Sequence, residues 1–161
     1  MHIKEENYMK HIYTLLIFTG LILASNQAFA ADKHHLPGVF LGYTHAEDET
    51  EFTYGLEYEY KFNSDWGVGI VYEKTDDAHH DDGVTVKLAQ VYYHTPQHIR
   101  LGLGFGEEKI GGAHPHSEEL YRISASYEYH LGDFAIEPTI AVDFIDSEEA
   151  YVFGVAFVRP F

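Results

Sequence analysis

The stretch Tyr151-Val152-Phe153-Gly154-Val155-Ala156-Phe157-Val158-Arg159-Pro160-Phe161 constrains the fold more than any other part of the chain. In an extended strand, Tyr151, Phe153, Val155 and Phe157 share one side, while Val152, Gly154, Ala156 and Val158 share the other. One side is bulky and aromatic and the other is small. Left bare in water, such a strand is a template for aggregation. In a bilayer it can be used if it zips against the first strand of a closed barrel and turns its large side chains to lipid.

The upstream sequence carries the same two-residue period. From Leu36 onward it falls into eight segments at hairpin spacing, near 36–45, 50–62, 65–75, 83–94, 98–108, 118–131, 133–146 and 149–161. Asn63-Ser64, Thr95-Pro96-Gln97 and the neighbourhood of Gly132 read as tight turns. The alternate connections are charged and mostly longer: Ala46 to Glu49, Asp76 to Asp82, Lys109 to Ser117, and the shorter Asp146-Ser147-Glu148-Glu149. This rhythm predicts an all-β, eight-stranded, antiparallel up-and-down transmembrane β-barrel with the tight turns and both termini on the periplasmic side.

Alternation alone does not say which face meets the interior, because a soluble barrel alternates too, with its apolar face inward. Volume decides. The apolar set contains nineteen rings: Tyr43, Phe52, Tyr54, Tyr58, Tyr60, Phe62, Trp66, Tyr72, Tyr92, Phe105, Tyr121, Tyr127, Tyr129, Phe134, Phe144, Tyr151, Phe153, Phe157 and Phe161. An eight-stranded lumen is barely wide enough for ordinary side chains, so these rings are predicted to face lipid. The inward set then includes Glu57, Glu59, Glu73, Lys87, Arg100, Arg122, Glu128, Glu137 and Asp143, with glycines such as Gly42, Gly67 and Gly154. Unpaired charges in a narrow lumen are costly, so a cross-strand ion network is predicted there. Rings flanking the first and third tight turns suit an interfacial girdle.

Residues 1–30 read as a secretory signal peptide, with Met1 or Met9 as the start. A lead bearing Lys4 and Lys10 is followed by an apolar run from Tyr13 to Ala24 and an Ala28-Phe29-Ala30 cleavage site. The barrel domain is then 31–161. The chain has no cysteine, hence no disulfide and no lipid-modified N-terminal Cys. Its net charge of −16 argues against nucleic acid as a partner.

The terminal Phe161 and the eight-strand rhythm resemble the small Gram-negative outer-membrane barrels of the OmpA and OmpX type. That resemblance is architectural and covers the whole mature chain. It implies location in the cell outer membrane, a plugged interior and an envelope or surface role. It also implies a monomer, in contact with outer-membrane lipid and lipopolysaccharide.

The outer connections and their flanks are rich in histidine and acid. His45, His79, His80, His114 and His116 are the candidate metal ligands, since imidazole suits Zn, Cu and Ni. The competing reading is a solvated, charged loop set. No resident cofactor is expected, although acidic loops beside lipopolysaccharide phosphates call for bridging divalent cations. His34 and His35 form a further His tract, and His94, His98 and His130 are read as interfacial. A lipid A hydrolase would need a nucleophile bonded to a base. The loop candidate is Ser117 beside His116, yet adjacent strand residues point to opposite faces. The lipid A deacylase barrels place His and Ser two residues apart on one face, a spacing not found here. No enzymatic activity is therefore expected.

Overall fold

A computed structural model describes residues 33–46, 48–76, 83–112, 115–146 and 148–161. The leader at 1–30 lies outside them. The elements are β1 (His35–Ala46), β2 (Glu49–Lys61), β3 (Trp66–Thr75), β4 (Val84–His94), β5 (Ile99–Ile110), β6 (His116–Tyr127), β7 (Tyr129–Leu131), β8 (Phe134–Ile145) and β9 (Glu148–Val158). Among the described residues no helix is long and apolar enough to cross a membrane.

Strands pair antiparallel with their neighbours, and β1 also pairs with β9, from Gly38 opposite Val158 to His45 opposite Tyr151. Beyond β9, Arg159 N donates to Pro37 O, and His35 and Phe161 exchange two backbone hydrogen bonds of 2.9 Å. The β6–β8 pairing runs from Leu120 opposite Ile145 to Ser126 opposite Thr139, and β7 resumes in the same register with Tyr129 opposite Ile136. β6 and β7 are thus one stave, and the closed wall has eight. The interruption falls opposite Glu137 and Pro138. Pro138 has no N–H to donate, and the β8–β9 ladder runs unbroken through it, so the missing rung is on the β6–β7 side.

Turn chemistry fixes one rim. Asn63 Oδ1 accepts from the N–H groups of Asp65 and Trp66 at 2.9 and 2.8 Å, an Asx turn. Gly132, at φ +63°, sits in the left-handed region that glycine enters without penalty. At the other rim the connections span 76–83 and 111–115, with only two residues between β1 and β2 and between β8 and β9. The first of these outer connections is shorter than its charged sequence suggested, because pairing persists to Ala46 opposite Glu49.

Eighteen of the nineteen predicted lipid-facing rings are exposed. Between the aromatics near the two rims lies an aliphatic belt, with Ile70, Leu103 and Ile140 at 63–65% exposure. Side chains of this kind, standing free on a closed wall, are tolerable only in hydrocarbon. At the closing seam Gly42 and Gly154 abut, and a Cβ on either would meet the Phe40 ring at 2.7 Å. That ring fills the space the glycines leave.

Strand β4 departs from the expectation. Its inward face is Val84, Val86, Leu88, Gln90, Tyr92 and His94, and it turns Lys87 outward. Tyr92 is therefore buried at 2% exposure, and Lys87 pairs on the outside with Glu107 at 3.6 Å. The physical reason is an apolar cluster within the outer half of the lumen, where Val84, Val86 and Leu88 join Val71, Leu120, Ile145 and Ala150.

Candidate functional site

Two guanidiniums organise the lumen. Arg122 on β6 faces its register partner Asp143 on β8, donating from Nε to Oδ1 at 2.5 Å and from Nη2 to Oδ2 at 2.6 Å. Across the lumen it reaches Glu73 on β3, with Nη1 to Oε1 at 2.9 Å and Nη2 to Oε2 at 2.7 Å. Arg100 on β5 binds Glu57 Oε1 at 3.1 Å and Glu59 Oε2 at 3.3 Å, both on β2. It also lies 3.0 Å from Glu137 Oε2 on β8. That last oxygen has no aligned hydrogen bond, so its attraction to Arg100 is Coulombic. Tyr92 lies beneath this guanidinium, 4.8 Å from ring centroid to Cζ. These side chains tie non-adjacent staves together like spokes.

His94 extends the network. Its Nε2 is 2.5 Å from Glu59 Oε1, and its Nδ1 is 2.7 Å from Glu128 Oε1. Each contact requires a proton between nitrogen and oxygen, and an imidazolium supplies both. Six carboxylates (Glu57, Glu59, Glu73, Glu128, Glu137 and Asp143) face Arg100, Arg122 and His94. Room for the Glu59 carboxylate comes from Gly67, where a Cβ would overlap it.

The predicted network is present, but with two corrections: Lys87 is not in it, and His94 and Tyr92 are. Its place near the turn end of β4 suggests an interfacial His94, but the phase of the strand decides otherwise. With Tyr92 inward, period two puts His94 inward as well.

The candidate loop ligands are only partly described. His79, His80 and His114 lie outside the described residues. His45 Nδ1 is 2.8 Å from Thr50 Oγ1 on the facing strand. His116 Nε2 is 3.5 Å from Glu118 Oε1. His45 and His116 stand on β1 and β6, which do not adjoin around the wall. Ser117 projects to the opposite side of β6 from His116. At the same rim Lys74 lies 2.6 Å from Asp76 and holds that carboxyl below the usual carboxylate range through its hydrogen bond. A cavity of about 40 Å³ enters the lumen there, lined in part by Glu73, Glu108, Arg122 and Asp143. It has room for a few waters and no more.

A closed eight-stave wall, an apolar exterior between aromatic rims and an interior tied by ion pairs define a small outer-membrane β-barrel. Its place is the outer membrane. No protein-family model and no curated protein matches the sequence. Among solved structures the chain is similar to Neisserial surface protein A, at TM-score 0.57 and 9% identity, covering 80% of this chain and 96% of that one. It is similar to the N-terminal β-barrel domain of Pseudomonas aeruginosa OprF, at TM-score 0.56 and 15% identity over 81% and 100%. It also resembles Yersinia pestis Ail in a phospholipid nanodisc, at TM-score 0.54 and 14% identity over 78% and 99%. At these identities the likeness is one of fold.

Proposed function

We propose that this chain is a non-enzymatic, non-conducting envelope protein. In this reading residues 1–30 direct secretion and 31–161 form a monomeric barrel. Its acidic outer rim contacts lipopolysaccharide through bridging divalent cations. The observation that carries the reading is the occupied lumen. Arg100 and Arg122 draw carboxylates from opposite walls across the bore, and a solute could pass only by breaking buried ion pairs.

The outer rim supports the cation-bridged contact. On the outer face Glu107 stands opposite Glu119 across β5 and β6, with Lys87 3.6 Å from Glu107. One lysine offsets only one of two facing acids, and the remaining repulsion favours a further cation at the rim. In membranes containing lipopolysaccharide, Mg²⁺ is expected to raise the thermal midpoint of the reconstituted protein, and chelation to lower it. In phosphatidylcholine alone both treatments should have little effect. Equal responses in the two membranes would remove the lipopolysaccharide contact.

Two further readings are separable from this one. A surface metal-binding protein would use His45, His79, His80, His114 and His116. A lipid A hydrolase would change the lipid A mass in cells expressing the chain and lose that activity in Ser117→Ala. An unchanged lipid A mass spectrum, with no discrete conductance steps in planar bilayers, is the outcome the envelope reading requires.

A further inference from the structure

At the tight-turn rim, away from the acidic loops, His98, Glu128 and His130 place one donor atom each within 4.8 Å of one another. The fold assembles them from three places. His98 ends the β4–β5 turn at φ +63°. Glu128 fills the break between β6 and β7, and His130 follows two residues on, which gives it the same face of the stave. A 2.7 Å bond from Glu128 N to His98 O pins the turn against the break. The two imidazole rings stand edge-on, with centroids 5.6 Å apart.

We propose that His98, Glu128 and His130 bind one divalent transition-metal ion of the zinc class at the periplasmic mouth of the barrel. Two imidazoles and one carboxylate suit Zn²⁺, Ni²⁺ or Cu²⁺ rather than Mg²⁺ or Ca²⁺, which prefer oxygen throughout. Three protein ligands leave a position for water or a further ligand.

Two observations besides proximity favour the ion. First, Glu128 is already oriented. His94 holds its Oε1 at 2.7 Å, Glu59 holds His94 from the other side at 2.5 Å, and Arg100 holds Glu59. Ligating carboxylates characteristically have hydrogen-bonded support of this kind, and a carboxylate with one such partner retains acceptor capacity. Second, the lumen has more carboxylates than cations, and Glu128 is where that excess approaches the aqueous rim. A divalent ion there adds positive charge to the chain of groups that ends at Arg100 and Glu137.

The test uses the full mature chain refolded in detergent micelles and stripped with EDTA. Calorimetry with Zn²⁺ and absorption with Co²⁺ are then recorded on the parent and two variant sets. The parent should bind one tight equivalent, with Co²⁺ giving the visible bands of a low-coordinate N,O site. His98→Asn and His130→Ala should each weaken that equivalent by about tenfold or more. Asn is chosen at position 98 because it tolerates the left-handed backbone, and heat-dependent gel mobility verifies that both variants still close. Replacing His45, His79, His80, His114 and His116 together by Asn should leave the tight equivalent in place. The proposal is overturned if the parent binds neither ion, if the rim variants bind as the parent does, or if the loop variant alone abolishes binding. Its failure would leave the lipopolysaccharide reading untouched, since that rests on Mg²⁺ at the opposite rim.

Discussion

Arg122 and Lys87 are both cations paired with acids, yet they should contribute very differently. Arg122 is 4% exposed and makes four charge-assisted contacts, whereas Lys87 and Glu107 are each more than half exposed. Arg122→Met strands Glu73 and Asp143 in a space water barely enters. It should cost about 3–5 kcal/mol in urea unfolding from micelles, while Lys87→Met should cost about 0–1 kcal/mol. Equal losses would mean that the lumen is hydrated well enough to screen its charges. At this scale the sequence was legible wherever one face was unambiguous. Glu59, Arg100, Arg122 and Asp143 fall inward once the volume of the rings opposite them sets the outward face. It misled at β4, where Val84, Val86 and Leu88 form an apolar face that points inward. An assumption of apolar-outward therefore reversed Lys87, Tyr92 and His94 together, since a slip of one residue moves every side chain on a strand to the other face.

Strands, as elements, were legible from period and turn chemistry to within a few residues. The division of the sixth stave was not anticipated, although its cause is visible in the sequence as Pro138, opposite the break in the next stave. The absent donor leaves the β6–β7 side without a rung, while Thr139 Oγ1 turns back to Glu137 O at 2.9 Å. Pro138 is exposed on the lipid side, so a valine there would meet no steric obstacle from the lumen. Pro138→Val should restore the rung and raise unfolding stability by about 0.5–1.5 kcal/mol. A neutral or destabilising result would show that the proline is needed to hold Glu128 in the gap. The rim trio was missed for a related reason. His98 and His130 are 32 positions apart in the chain, and period two carries no information about which turns meet which strand breaks.

For the molecule as a whole, ring volume decides which face meets lipid, and the exposed belt of Ile70, Leu103 and Ile140 agrees. A wall with no free edge resists detergent until heat opens it. The purified chain should therefore run at different positions on a denaturing gel before and after boiling. A single position under both conditions would contradict a closed barrel. The backbone bonds that His35 and Phe161 exchange at the rim carry one more implication. The path from 35 to 161 returns to its own starting point, so the polypeptide is geometrically a hoop. A short linker joining those ends, with a new opening cut at the Asn63 turn, would give a circular permutant tracing the same course through the membrane.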